Sequence, residues 1–422
     1  MHIHTRSPHI VVIGGGFGGL ETAFYLRTRL RDRVRITLIS DRDHFLFKPN
    51  TIYIPFGLDP DRLKISLALP ARRRDIELRI GAVHAIHPDR QVVEFDGGTM
   101  AYDYAVIATG AGMRAEEIPG LQTFAQTIWT PEEMLRLRTS LLRLREDLHG
   151  GATRTVLFLV PPNNKCSGPL YEMVFMIDTW LRRQRLRNRV RIIWTTYERS
   201  FIQAFGPRLH EVVREEFARR DIVGYTEWVV DHVQPRSVVY RHGAQVTYDL
   251  LIAFPPYVAA RKFAALPVDD RGFIRTELTT RQVVGIDNLY AVGDTGDFPV
   301  KQAFLAFLQA DAAAAHLASR ILHRKFDAGF EPVSMCVMEM LDRATFAQVP
   351  LRLTGDPDQP IDVRPDAQAA YRVGTSRIWR LGKHLLGVYL PWRFRNGRPF
   401  HAGLPWRIMD AGLRIMARAY AH

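Results

Sequence analysis

The chain has 422 residues, 47% hydrophobic and 24% charged, with a formal net charge of +13. That length can bury a large core and suits two or three domains. No run approaches the ~20 apolar residues of a transmembrane helix. Met1 to Pro8 lack an apolar signal core, so synthesis and retention in the cytoplasm are expected. Two cysteines exclude a disulfide scaffold and a four-cysteine zinc site, and no metal site is expected. Seven lysines accompany 50 arginines. The positive balance fits nucleic acid, anionic lipid or an Arg-rich genome. No base-stacking module accompanies it, so nucleic-acid binding is not expected, and much of the charge is C-terminal.

Ile10 to Ile13 read as a buried strand, followed by Gly14-Gly15-Gly16-Phe17-Gly18-Gly19 and a helix over Leu20 to Leu30. Gly14, Gly16 and Gly19 fit G-x-G-x-x-G. The first permits the tight turn, the second lets backbone approach a pyrophosphate, and the third lets helix and strand pack closely. A diphosphate would sit on the free N–H groups at the helix N-terminus. A second strand, Arg35 to Ile39, ends at Ser40 and Asp41. Asp41 lies 22 residues beyond Gly19, so Ser40, Asp41 or both are candidates for a ribose hydroxyl. The aromatic segment Asp41 to Asn50, with Pro49, is too irregular for a helix and reads as a cofactor wall. Short strands over 71–104 lead to Tyr104–Ala108, which ends in Thr109-Gly110. Later, Asn288 to Val292 ends in Gly293-Asp294. There an acidic side chain would meet a sugar-like polyol, and a helix over about Lys301 to Leu322 would aim its positive end at the cofactor.

Between these stretches lies a second strand-turn-helix unit. After a helix over Pro131 to Leu148, the strand Thr155 to Val160 runs into Pro161-Pro162-Asn163-Asn164-Lys165-Cys166-Ser167-Gly168-Pro169-Leu170-Tyr171-Glu172. Prolines cannot supply the N–H groups that cradle a diphosphate. The second unit therefore reads as a nucleotide-domain shape without the nucleotide site, carrying a thiol in the turn.

The glycine motif, Ala108-Thr109-Gly110, Gly293-Asp294, the Cys166 turn with Glu172, and a second cysteine at Cys336 together resemble one family. They look like sulfide:quinone oxidoreductase and its relative, the flavoprotein subunit of flavocytochrome c sulfide dehydrogenase. The resemblance covers nearly the whole chain. It implies an α/β fold of two Rossmann-like domains, the second degenerate and without an NAD site. The FAD-binding domain would comprise 9–112 and 270–325, the second domain 113–269 with Cys166, and a C-terminal region 326–422 with Cys336. It implies FAD held by Gly14, Gly16, Gly19, Ser40, Asp41, Pro49, Thr109, Gly110, Gly293 and Asp294. Lys301 would stabilise the reduced, anionic flavin. Cys166 and Cys336 would form the redox pair that sulfide attacks, with Lys165 favouring a thiolate and Glu172 transferring protons. The alternative for Glu172 is a solvated helix residue, and for the cysteines buried small hydrophobes. Trp129 stands where many members carry a third cysteine, and family histidines are replaced near Glu133 and Ala204. FAD is therefore expected to be non-covalent, and a persulfide or another thiol remains open as the donor.

The segment 354–368 reads as an exposed loop. Ser376 to Phe394 mixes aromatic and apolar residues with arginines, and Pro405 to Ala421 places Trp406, Met409, Leu413, Met416 and Tyr420 at helical spacing. Trp on one side and Arg on the other suit a membrane interface. A helix packed on the protein's own core or a dimer face is the alternative. The family's need to reach a lipid-soluble quinone favours a peripheral membrane location. Candidate quinone contacts are Phe304, Phe307, Tyr389, Trp392 and Phe394. Sulfide, quinone and the membrane surface are the expected partners, with a homo-oligomer possible. Other readings are electron delivery to a cytochrome c, type II NADH dehydrogenase, and a flavin-binding redox sensor without turnover.

Overall fold

The structure, a computed structural model, describes residues 7–357, 359–401 and 403–421. Met1 to Arg6, Asp358, Ala402 and His422 lie outside the described residues. Every residue of the first strand, His9–Ile13, is buried. This strand is interior to a six-stranded sheet ordered Gln282–Val283, Ile286–Ala291, Tyr104–Ile107, His9–Ile13, Arg35–Ser40, Glu77–Ile80. All neighbours run parallel except the outermost pair. A strand buried on both faces needs apolar side chains at every position, which is why Ile-Val-Val-Ile does not alternate. Ile10 and Val12 face the helices Phe17–Leu30 and Ala303–Ile321. Val11 and Ile13 face an antiparallel sheet of Val83–His87, Val92–Phe95 and Gly98–Ala101.

The middle of the chain repeats this plan. Gln126–Thr127, Leu250–Ala253, Arg154–Val160, Val190–Thr196 and Ile222–Tyr225 form a five-stranded parallel sheet in that order. Helices Pro131–His149, Gly168–Arg183 and Gly206–Arg219 cover one face. A three-stranded antiparallel sheet covers the other. The Pro131–His149 helix begins at a capping box, in which the Thr130 hydroxyl accepts from the Glu133 N–H and the Glu133 carboxylate accepts from the Thr130 N–H. Glu133, standing near a replaced family histidine, is thus a cap.

The C-terminal region is an antiparallel sheet and two helices. Val333–Glu339 and Arg372–Ser376 flank Ala344–Leu353, which also pairs with Ile361–Val363. The 354–368 segment is therefore not wholly an exposed loop. Ile361 and Val363 are buried, and an isolated apolar pair two residues apart among Pro and Asp gave too short a pattern to read. Likewise, Lys48–Phe56 is a 3-10 helix, where an irregular wall was expected. Pro49 sits at its start, where a missing N–H costs nothing.

Helices Arg377–Arg395 and Leu404–Tyr420 form as expected, but the outward faces differ. Trp406 and Met409 pack onto the first domain, and Leu413 and Met416 pack beside Trp379. Of the expected face only Tyr420 is exposed, and the other exposed apolar residues of the last helix are Leu404, Ile408 and Ile415. On the preceding helix they are Ile378, Leu381, Leu385, Val388 and Trp392. Both sides of the last helix are apolar, so spacing alone did not decide which one faces the core.

Candidate functional site

The glycine turn opens onto a cavity of about 770 Å³. Gly14 has φ +111°, and a Cβ there would lie 2.3 Å from the Ala108 carbonyl oxygen. A Cβ on Gly19 would lie 1.9 Å from the Gly14 oxygen, so helix and turn meet only because both side chains are absent. Gly16 is different: its Cβ would meet nothing within 4 Å. It borders the cavity and starts the Phe17–Leu30 helix with no side-chain cap. The first N–H groups of that helix are thus free for an anion. Ser40 is buried and its Oγ accepts from the Arg42 N–H at 3.3 Å, whereas Asp41 is exposed with its carboxylate 3.8 Å from Arg42. Both border the cavity, as do Pro49, Thr109 and Gly110. The Thr109 hydroxyl is 3.0 Å from that of Thr295.

Further along, Gly293 at φ +71° donates its N–H to Gln309 Oε1 at 3.1 Å. Asp294 and Lys301 border the cavity together. Burial holds the Asp294 carboxyl above its ordinary value, opposed by the Lys301 and Lys48 ammonium groups. Burial pushes Lys301 down to about 7, opposed by Asp294. Its ammonium donates to the Gly296 carbonyl and sits 3.8 Å from the Phe273 ring centre. Lys301 is therefore a buried amine rather than a solvated helix-start lysine. Lys48 is its counterpart, 3.1 Å from the Trp129 ring centre and pushed down to about 7 by burial. Trp129 itself borders the cavity.

Both cysteines are free thiols, half-buried, and border the same cavity. Cys166 sits just before the Gly168–Arg183 helix, in a turn fixed by Asn164. The Asn164 amide donates to the Phe254 carbonyl at 2.8 Å, and its oxygen accepts from the Cys166 N–H at 3.0 Å. Cys336 lies in the strand Val333–Glu339. Burial pushes both thiols up, Cys336 to about 12, and Cys166 is raised further by Cys336. Burial and the Arg271 charge push Lys165 down, opposed by Asp269 and Asp270, while the Gly168 N–H favours the Cys166 thiolate.

Glu172 is buried, not solvated. Its carboxylate accepts from Lys383 and from the Glu339 N–H, the latter at 2.7 Å. Burial raises its carboxyl, and Lys383 opposes the rise. Lys383 also donates to the Val337 carbonyl at 2.7 Å, one residue from Cys336. Behind it the fully buried Glu339 carboxylate accepts from Tyr53 at 2.8 Å and Arg380 at 3.0 Å. Sequence reasoning missed Lys48, Lys383, Glu339 and Asn164. Lysine scarcity was the available signal, for three of the seven lysines (Lys48, Lys301 and Lys383) border this cavity.

Aromatic and apolar side chains form another part of the wall: Phe304, Phe307, Phe400, Trp406, Leu386 and Leu390. Tyr389, Trp392 and Phe394 do not border the cavity. Phe394 is buried among Phe24, Phe45 and Phe307, Tyr389 packs by Phe400, and Trp392 is exposed.

A cavity with an uncapped helix start, an open glycine and buried lysines along its wall fits a flavin dinucleotide, and the cofactor of this site is FAD. Residues 8–153 match the pyridine nucleotide-disulphide oxidoreductase family. The chain is 31% identical over 240 residues to the sulfide-quinone reductase of Aquifex aeolicus, covering 56% of this chain and 54% of the relative. The alignment thus spans about half the length of that relative. The solved structure of the sulfide:quinone oxidoreductase from Aquifex aeolicus superposes with a TM-score of 0.83 at 23% identity, covering 96% of each chain. A demethylphylloquinone reductase from Synechocystis is 26% identical over 418 residues, 92% of this chain and 96% of the relative. In sequence and fold the chain is similar to the sulfide:quinone reductases.

Proposed function

We propose that the chain oxidises sulfide through a Cys166–Cys336 redox pair and delivers the electrons to a membrane quinone. The observation that carries this reading is that two thiols 170 positions apart border one cavity with the glycine turn. A nicotinamide donor is disfavoured at the second turn, where Pro161 and Pro162 stand in place of N–H-bearing glycines.

Oxidised to a disulfide, the pair is the electrophile. Hydrosulfide attacks one sulfur, a new S–S bond forms to the incoming sulfur, and the bond between the cysteines breaks. One cysteine then carries a persulfide and the other a thiol holding the hydrosulfide proton. Burial favours that neutral thiol. Restoring the disulfide releases one sulfur atom at zero oxidation state, one proton and two electrons. FAD, when bound, supplies the two-electron acceptor between the cysteines and the quinone. Glu172, a carboxyl raised by burial and held by Lys383, receives the proton. Lys301 places a buried amine on the cavity wall, lowered to about 7, whose protonated form is favoured beside a cofactor that gains negative charge on reduction. The net reaction is hydrosulfide, a proton and quinone giving sulfur and quinol.

The exposed stripe Ile378, Leu381, Leu385, Val388 and Trp392, continued by Leu404, Ile408 and Ile415, is the proposed membrane-facing surface. Among the described residues no helix is long and apolar enough to cross a membrane. The test is anaerobic mixing of the FAD-loaded protein with sulfide, then a short-chain quinone, with NADH in parallel. Bleaching by sulfide and recovery with quinone are expected. A flavin indifferent to sulfide overturns the reading, and bleaching by NADH replaces it with a nicotinamide-dependent quinone reductase.

A further inference from the structure

Behind the aromatic wall lies a second group of titratable residues that the reaction above does not use. Glu21 projects from the Phe17–Leu30 helix and is fully buried. Asp311 projects from the Ala303–Ile321 helix, and His401 precedes the last helix. His401 Nδ1 and Asp311 Oδ2 are 2.5 Å apart. Glu21 accepts from the Phe400 N–H at 2.6 Å and the His401 N–H at 3.2 Å. One candidate ligand atom from each of the three side chains lies within 4.8 Å of the others. The Nδ1–Oδ2 separation has room for a proton but not for a metal ion, whose bonds to nitrogen and oxygen are about 2.0–2.2 Å each.

The group stands between two cavities. The His401 ring packs on Phe304, Phe307, Phe400 and Trp406 with ring centres 4.6 to 5.7 Å away, and these four side chains border the flavin cavity. On the other side, Asp311 and His401 border a second cavity of about 660 Å³, with Asp410, Arg414 and Arg418 in its wall. Phe304 and Trp406 border both. The His401 side chain is nine-tenths buried, and among the described residues its Nε2 has no hydrogen-bond partner. The same is true of Asp311 Oδ1. A buried polar atom without a partner is costly unless water or a transferred proton meets it.

We propose that Glu21, Asp311 and His401 form a proton relay that draws on the second cavity and supplies the protons for quinone reduced at the aromatic wall. This rests on the quinone reading above. Quinone becomes quinol by gaining two electrons and two protons. The electrons come from sulfide, while the protons must cross an apolar wall that excludes bulk water. In the relay, the protonated carboxyls of Asp311 and Glu21 each give up one proton, passed through the His401 ring, as two O–H bonds form on the quinone, and water in the second cavity reloads them. Burial and repulsion from Asp311 hold Glu21 up to about 8, and burial holds Asp311 up to about 7 against a hydrogen bond from the Glu21 side chain, so the pair retains protons at neutral pH. Burial lowers His401, leaving a neutral ring able to accept. The other charged or titratable groups facing the trio are Tyr25, Tyr389, Arg393 and Asp410.

The test photoreduces the flavin of the full-length holoprotein without sulfide, then follows reoxidation by decylubiquinone in stopped flow across pH, in water and deuterium oxide. For the wild type, reoxidation slows as pH rises through the range of the pair and shows a solvent isotope effect. Asp311→Asn and His401→Gln slow reoxidation by about tenfold or more and remove that pH limb. Glu21→Gln, which keeps the backbone acceptor, shifts it. A wild type reoxidised by quinone whose variants, folded and yellow, keep both rate and pH profile overturns the relay alone. A wild type that quinone does not reoxidise overturns the relay together with the quinone reading. Absence of a solvent isotope effect in the wild type also counts against the relay, and needs no variant to fold.

Discussion

The Lys383 ammonium joins the Glu172 carboxylate to the backbone carbonyl of Val337, the residue after Cys336. It thereby ties the helix carrying the first cysteine's turn to the strand carrying the second. Removing one partner of a buried pair leaves the other charge uncompensated, a loss of about 3–5 kcal/mol. Lys383→Met is therefore expected to lower the thermal midpoint sharply. Lys383→Met with Glu172→Gln recovers much of that midpoint but not the rate of bleaching by sulfide. Thermal unfolding and stopped-flow absorbance on the three proteins measure both.

The cysteines allow a direct check. Cys166→Ser and Cys336→Ser are each expected to keep the flavin spectrum and abolish rapid bleaching by sulfide. A variant that still bleaches at the wild-type rate removes that residue from the redox pair.

The glycines divide by what a methyl group would meet. Gly19→Ala places a methyl against the Gly14 carbonyl, so the turn itself must move, and poor folding with no bound flavin is expected. Gly16→Ala meets no protein atom within 4 Å and has an ordinary φ of −90°. This variant is expected to fold with a wild-type thermal midpoint in the apoprotein yet bind FAD more weakly. The ratio of flavin to protein absorbance after gel filtration reads the difference.

Stability should also depend on pH in a definite direction. Glu21 rises from 4.5 to about 8 and Asp311 from 3.8 to about 7 on folding. The folded chain therefore binds protons that the unfolded chain has already released. That contribution is complete below about pH 4 and is lost as pH rises toward about 8. The apoprotein thermal midpoint is expected to fall between about pH 5 and pH 9, and Glu21→Gln with Asp311→Asn flattens the fall. An equally steep fall in the double variant assigns it to other groups.

For the exposed stripe, Leu385 and Val388 are 62% and 72% exposed, so charges there cost the fold little. Leu385→Asp with Val388→Asp is expected to abolish flotation with vesicles of phosphatidylcholine and phosphatidylglycerol while the flavin spectrum is retained. Flotation that survives moves the membrane contact elsewhere.

The parallel sheets, the glycine turn and the cysteine turn were legible because each is written locally: an unbroken apolar strand, a glycine at a forced approach, prolines where N–H groups are needed. What stayed hidden depends on contacts between distant segments. Lys383 pairs with a residue 211 positions away, and Tyr53 with one 286 positions away. For Glu172 the sequence left a proton carrier and a solvated helix glutamate both open, because the Lys383 that covers it is far away in the chain. The last helix was placed correctly along the chain but turned the wrong way, because both of its sides are apolar.

The first sheet has a consequence for how the protein is made. Its strand Tyr104–Ile107 pairs with Ile286–Ala291, and the whole second sheet is encoded between them. During synthesis the inserted domain therefore completes its strands while the first sheet still has an open edge at Ala105, Val106 and Ile107. Closing that edge spans a long loop, which slows folding, and an unpaired apolar edge invites association with other chains. A fragment ending before Ile286 would carry the entire glycine motif and still lack the strand that covers this edge. Cofactor capture is consequently a late event in the life of the nascent chain, and a supply of flavin would act after the middle domain has folded, as the clamp that holds the two halves of the interrupted domain together.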